Sequence, residues 1–305
     1  MDDVTFTSNF WNWWVILLTV ANILACWWLI VWTSKRRPGE AAVGDVMGHR
    51  WDGDLEEYNN PLPRWWLWLF YITILFSAVY LLLYPGLGTY GGLLNWSSVA
   101  RYESEMQAAE ERYGPIFAEY AARGIPDLAR DPEAMQAGQR LFMTYCATCH
   151  GSDARGAPGF PNLRDGAWSW GGDPESIRTS ILDGRRGVMP PWRDVLGEEG
   201  VEQVAAYVIR MSGREADPHL AEAGKSHFQN LCVACHGAQG EGNPMLGAPA
   251  LNDNRWVHGG SPGAIRRSIA EGREGHMPAH RDFLGEDKAH LLATYVYSLN
   301  PPEER

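Results

Sequence analysis

"CATCH" at 146–150 and "CVACH" at 232–236 are two copies of one pattern, C-x-x-C-H, and hold four of the chain's five cysteines. The spacing has a mechanical logic. Two thiols three residues apart share one helical turn, so both sulfurs can reach the vinyl groups along one porphyrin edge. The histidine that follows points at the iron from the same turn. A zinc site would gather paired cysteines into one tetrahedral cage. Here each pair closes with its own histidine, His150 or His236, in a separate part of the chain. The pattern predicts two covalently bound haem c groups. Cys146 and Cys149 carry one, Cys232 and Cys235 the other, with His150 and His236 as proximal iron ligands.

The motifs sit inside a repeat. Cys146 and Cys232 differ by 86 positions, and Gly138, Phe142 and Cys149 have partners at the same offset in Gly224, Phe228 and Cys235. A two-residue insertion then raises the offset to 88, which pairs Leu163, Trp168, Gly184, Met189 and Tyr207 with Leu251, Trp256, Gly272, Met277 and Tyr295. Each unit opens and closes with a helix; Gly138, Leu141, Phe142 and Tyr145 share one face of the first, and Val201, Val204, Ala205 and Val208 one face of a closing helix. The expected units are cytochrome c domains at 133–214 and 215–305. A fold this small and this poor in apolar residues needs a staple, which covalent haem supplies.

Alignment of the repeats selects the distal ligands. "RRGVMPPWRD" (185–194) lies over "REGHMPAHRD" (273–282), so Met277 matches Met189 while His276 faces Val188 and His280 faces Trp192. His227, His258 and His290 likewise face Leu141, Trp170 and Glu202, and His49 and His219 lie outside the repeat. Only the methionines recur, each before a proline, so Met189 and Met277 are the expected sixth ligands. The default pairing is within each repeat, Met189 with His150 and Met277 with His236; exchange between tandem units is the alternative. Thioether ligation raises the reduction potential relative to a second histidine. A six-coordinate His/Met iron has no open position, so its work is outer-sphere electron transfer; a dihaem peroxidase would need one vacant site. The second ring nitrogen of each proximal histidine needs an acceptor, and the carbonyls of Pro161 in "PNL" and Pro249 in "PAL" are the candidates.

The front of the chain has a different character. Of fifteen tryptophans, eleven lie in residues 1–100. Residues 11–32 and 65–84 carry no charge, and as helices they measure about 33 and 30 Å, enough to cross a bilayer core. Tryptophans crowd their ends, as interfacial anchors do. Cys26, within the first run, reads as a small buried apolar residue. The start, "MDDVTF", is acidic where a signal peptide needs positive charge. Lys35, Arg36, Arg37, Arg50 and Arg64 fall in the loop 33–64, while residues 1–10 have no Lys or Arg and none follows the second run until Arg101. The positive-inside rule therefore expects a cytoplasmic loop at 33–64, with segment 1–10, the linker 85–132 and both haem units in the periplasm. Residues 98–123 read as a charged surface helix leading from the membrane to the first haem unit, solvated by preference, with partner binding as the alternative. Acidic residues with "NPLP" read as a rigid entry to the second span, with Pro61 and Pro63 stopping any helix before it, and a simple cytoplasmic turn as the alternative. The expected fold class is all-α: two transmembrane helices followed by two tandem cytochrome c domains. With a formal net charge of -11 and a pI of about 5.3, the chain is a poor nucleic-acid binder.

Two further stretches carry a resemblance. "HRWDGDLEEYNNPLPRWWLWLF" (49–70) and "YPGLGTYGGLLNWSS" (84–98), followed by tandem C-x-x-C-H repeats, resemble the dihaem subunit III, the CcoP/FixP family, of cbb3-type cytochrome c oxidases. The resemblance covers nearly the whole chain. It implies a complex in the bacterial inner membrane with a catalytic haem–copper subunit, a monohaem cytochrome c subunit and often a small fourth subunit. It also implies a route from a donor cytochrome c through this chain to the monohaem subunit, with oxygen reduced elsewhere. A free-standing membrane-anchored carrier, or the cytochrome subunit of a periplasmic dehydrogenase, would have the same iron ligands; the stretch "DGDLEEYNNPLPRWW" favours the oxidase.

Overall fold

A computed structural model describes residues 6–300, and the chain divides into two compact units, Met1–Glu111 and Arg112–Arg305. Residues 1–5 of the expected periplasmic segment, with most of the acidic start, and 301–305 of the second repeat lie outside the described residues.

In the first unit, helices α1 (Asn9–Thr33) and α2 (Arg64–Leu83) coincide within two residues with the uncharged runs. Neither buries a single residue. For apolar helices 25 and 20 residues long, that is the signature of surfaces made for lipid. Cys26 is accordingly exposed: its apolar surroundings belong to the outside of a membrane helix and not to a protein core. The side-chain carbonyl of Asn12, near the start of α1, accepts the Thr89 amide at 2.8 Å. The beginning of α1 and the segment beyond α2 are thereby tied at the same end of the helical pair.

The loop between the helices holds a hairpin ahead of its proline entry. Strands β1 (Val46–Trp51) and β2 (Leu55–Tyr58) pair antiparallel, with Trp51 opposite Leu55 and an Arg50–Glu56 ion pair across them. Asp52 and Gly53 turn the chain with φ of 50° and 91°; Asp-Gly is the dipeptide that accepts positive φ in a tight hairpin. Pro61 and Pro63 then lead into α2, with Pro63 at its N-cap.

The second unit takes in the end of α3 (Ser98–Ala121) and α4 (Ile125–Leu128). The first repeat follows as α5 (Pro132–Tyr145), α6 (Ala147–His150), α7 (Pro174–Asp183), β3 (Arg185–Met189) and α8 (Arg193–Met211). The second runs as α9 (Pro218–Leu231), α10 (Val233–His236), α11 (Pro262–Glu271), β4 (Arg273–Met277) and α12 (Arg281–Ser298). The opening helices start alike. The carboxylates of Asp131 and Asp217 each accept two backbone N–H groups ahead of a proline at the first helical position, satisfying donors that a helix start leaves free.

The repeats are not independent in space. One core joins Phe142 of α5 and Ile177, Ile181 and Leu182 of α7 to Leu284, Leu292, Ala293 and Val296 of α12. The other joins Phe228 of α9 and Ile265 and Ile269 of α11 to Val201, Val204, Val208 and Ile209 of α8. Each repeat thus gives its closing helix to the other. The exchange passes through β3 and β4, which pair antiparallel with Arg185 opposite Met277, Gly187 opposite Gly275 and Met189 opposite Arg273. The junction near residue 214 is therefore no boundary between separately packed bodies. Part of the reason is the connection from α8 to α9, residues 212–217, short enough that the two helices fold back as antiparallel neighbours. Close approach helps: a Cβ on Gly138 of α5 would stand 2.8 Å from the Tyr295 Cβ of α12. The all-α expectation is also amended, since the described residues include two antiparallel ribbons, β1–β2 and β3–β4.

Candidate metal centres

Each C-x-x-C-H motif begins where an opening helix ends. Cys146 is the C-cap of α5 and Cys232 that of α9. The chain then makes one further turn, in which the His150 amide donates to the Cys146 carbonyl and the His236 amide to the Cys232 carbonyl, both at 2.9 Å. Gly151 and Gly237, each with φ of 78°, let the backbone leave that turn in a conformation glycine adopts freely. One thiol of each pair, Cys146 or Cys232, is partly buried and the other exposed. Burial pushes the Cys146 and Cys232 thiols up to about 11.

The two histidines share one geometry. His150 Nδ1 lies 3.0 Å from the Pro161 carbonyl and His236 Nδ1 lies 3.0 Å from the Pro249 carbonyl. A carbonyl only accepts, so the proton sits on Nδ1 and Nε2 presents its lone pair outward. Burial holds both rings below the ordinary histidine range, against the opposing effect of the carbonyls; at His150 the His280 ring adds to the lowering. Neutral, singly oriented imidazoles are what a metal needs.

The methionines arrive from the opposite repeat. Met277 packs against the core that also holds Cys146, Ala147 and Leu163. Met189 packs against the core of Cys232, Val233 and Leu251. Backbone bonds fix each crossing: the His280 amide donates to Ile181 at 3.1 Å, and the Trp192 amide to Ile269 at 3.0 Å. Two glycines make room. Gly184 has φ of 70° and ψ of -177°, Gly272 has 73° and -177°. A Cβ on Gly184 would run into the Met277 carbonyl and Pro278, and one on Gly272 into the Met189 carbonyl and Pro190. The segments that carry the methionines thus lie against the C-x-x-C-H core of the other repeat.

The chemistry of the first site fits a haem. Among the described residues, Trp168 Nε1, Arg178 Nε and His280 Nδ1 are buried without a hydrogen-bond partner. Trp168 and Met277 belong to the first core, and His280 caps α12 beside it. Unpaired donors of this kind suit the acidic edge of a porphyrin, because a buried polar group left unpaired is costly. The second site differs: Trp256 Nε1 donates to the Asn254 side chain at 3.0 Å. The repeat set His280 aside as an iron ligand because it faces Trp192; its buried ring nitrogen beside the first core was not legible there. Between the two sites, Pro161 and Trp168 face Pro249 and Trp256 around a cleft of about 290 Å³. The Gly159 amide crosses to the Val257 carbonyl at 2.8 Å beside it.

Comparison with known proteins agrees with this architecture. Residues 44–91 match a family described as the N-terminal domain of cytochrome oxidase-cbb3, FixP. Residues 133–208 and 219–296 each match the family described as cytochrome c oxidase, cbb3-type, subunit III. The Cbb3-type cytochrome c oxidase subunit CcoP of Rubrivivax gelatinosus is 41% identical over 296 residues, 97% of this chain and 96% of that protein. The subunit FixPc of Rhizobium leguminosarum bv. viciae is 38% identical over 283 residues, 87% and 98% of the two chains. The CcoP of Cereibacter sphaeroides is 36% identical over 289 residues, 88% and 98% of the two.

Proposed function

The chain belongs to the cbb3-type cytochrome c oxidase subunit III family, and from that premise we propose that it relays electrons through two haem c groups whose distal ligands are exchanged between its repeats. His150 and Met277 hold the haem attached to Cys146 and Cys149. His236 and Met189 hold the haem attached to Cys232 and Cys235. The observation that carries this reading is the crossed packing, which seats Met277 on the Cys146 core and Met189 on the Cys232 core.

When bound, each haem supplies a one-electron couple. The protein's part is to keep that couple fast and directed. The Pro161 and Pro249 carbonyls lock the proximal rings, so little rearranges between redox states. The methionines close the distal side and keep out water and oxygen, so the chain reduces no oxygen itself. The cleft lined from both repeats by Pro161, Trp168, Pro249 and Trp256 brings the two proximal loops together.

The chain is a membrane protein of the bacterial inner membrane in this reading. The basic loop between α1 and α2 is cytoplasmic, and both termini and the haem repeats are periplasmic. The distribution of Lys and Arg supports that orientation; the Asn12–Thr89 bond supports only a common side for the start of α1 and the segment after α2. The electron donor is a cytochrome c. The acceptors are the monohaem cytochrome c subunit and then the catalytic haem–copper subunit, with a small fourth subunit as a further neighbour.

Affinity purification of the tagged chain in mild detergent tests this. The haem–copper subunit should co-purify, with two haem c groups per copy of this chain. Oxygen uptake driven by reduced cytochrome c should be lost when Cys146 and Cys149 are both replaced by Ala. Recovery of the chain without a haem–copper partner, or oxygen uptake that survives the replacement, would overturn the proposal.

A further inference from the structure

Helix α3 carries an apolar seam whose large side chains are exposed among the described residues. Val99, Tyr102, Met106, Ala109 and Tyr113 follow one another at spacings of three and four, the pattern of a helix that packs along another helix. Val99, Tyr102 and Met106 are 55%, 62% and 47% exposed. The same face continues past Pro115, where Phe117 and Tyr120 pack against Leu128, Ala134 and Leu291. The chain therefore uses the last turns of the face. The seam from Val99 to Tyr113, about 21 Å at 1.5 Å per residue, belongs to none of the hydrophobic cores among the described residues.

The charges beside the seam say what kind of surface covers it. Glu103 and Glu110 flank one side, seven residues apart, and Glu105 and Arg112 the other. Arg101 pairs with Glu105 and Gln107 with Glu111; among the described residues Glu103 and Glu110 have no ion-pair partner. A second copy is disfavoured. In a parallel pair Glu105 would meet Glu110 of the other chain, and in an antiparallel pair Glu103 and Glu110 would face each other. A lipid surface is disfavoured as well, because α3 holds five glutamates against two arginines and bacterial head groups repel such a helix.

We propose that residues 99–113 of α3 dock an amphipathic helix of another protein, one whose apolar seam is flanked by lysines or arginines that pair with Glu103 and Glu110. That the partner is a subunit of the same complex rests on the proposed function; the surface itself does not.

Site-specific photo-crosslinking in intact membranes tests this, with benzoylphenylalanine at Met106 and, as control, at Ala108, which is exposed and points ~200° away around the helix. The expected result is an adduct at Met106 several-fold stronger than at Ala108. Mass spectrometry should map it to a helical segment of another protein with basic flanks. The yield should fall several-fold in Glu103→Lys/Glu110→Lys, with the haem spectrum unchanged. An adduct with a second copy, with lipid, with an acidic or unflanked segment, or no stronger than at Ala108, would refute the proposal. A basic-flanked partner outside any oxidase would leave the surface standing and remove the oxidase reading instead.

Discussion

Replacing Met277 by Ala separates the crossed arrangement from the uncrossed one. The informative background has Cys232 and Cys235 changed to Ala, leaving only the haem on Cys146 and Cys149. If ligands cross, Met277→Ala removes the distal ligand of that haem, and the thioether-to-iron charge-transfer absorption disappears. If they did not cross, Met189 would serve that iron and the absorption would persist. The loss should also be complete, because Met189 cannot come to the rescue. Moving it to the first site would unzip β3 from β4 and lift α8 off its core. That core holds Val201, Val204, Val208 and Ile209, each 6% exposed or less. At roughly 1.5–3 kcal/mol for each buried aliphatic side chain, exposing the four costs on the order of 6–12 kcal/mol. Even the lower figure holds the rescued form to about one molecule in ten thousand. The reciprocal chain, with Cys146 and Cys149 changed to Ala, should keep its absorption in Met277→Ala and lose it in Met189→Ala. Absorption retained in the first background would refute the crossed reading, and partial loss would refute the estimate of its rigidity.

Three further outcomes are expected. Gly184→Ala and Gly272→Ala place a side chain in a backbone region that only glycine tolerates, at about 1–3 kcal/mol each, and press on the Met277 and Met189 carbonyls respectively; the first should weaken the absorption of the His150 haem and the second that of the His236 haem, read in the same single-haem chains. Gly138→Val should lower the melting temperature of the His150 haem unit and spare the other, because the new side chain meets the Tyr295 Cβ of α12, as differential loss of the two haem signals on heating would show. Hydrogen bonds from the Arg123 side chain and the Ala134 amide hold Asp131 below the ordinary carboxylate range; a depressed folded value means stability is present above the unfolded value and lost as pH falls through the folded one, so Asp131→Asn should flatten the acid limb of a thermal melt series between about pH 5 and pH 2.

How much of this was legible in the sequence depended on whether the physics was local. The membrane helices came within two residues because bilayer thickness and the cost of unpaired backbone leave one solution for an uncharged run. The motif turns were legible for the same reason: thiol spacing and the following histidine are properties of a single turn. The bonds from His150 to Pro161 and from His236 to Pro249 were approachable because the repeat marks the same tripeptide position twice. The β1–β2 hairpin was also local, and Asp52-Gly53 is its turn signal.

The crossing was not legible, and duplication is the reason. Two copies of one domain present the same docking face twice, so α8 matches the groove beside α5 nearly as well as the groove beside α9, and hydrophobic periodicity scores both alike. What separates the two outcomes is small and non-local. The connection at 212–217 turns α8 straight back onto α9, and Arg186 meets Glu274 at 2.7 Å across the exchanged strands. Gly184 and Gly272 let each α7 or α11 terminus touch the other repeat's Met-Pro segment. The strand pairing and the two glycine contacts act between the repeats, so no single repeat displays them. The exchange also changes what a mutation can do. In the proposed crossed ligation a residue of one repeat that positions its methionine acts on the iron of the other, so neither repeat can vary without the other, and separately expressed repeats would each lack a distal ligand.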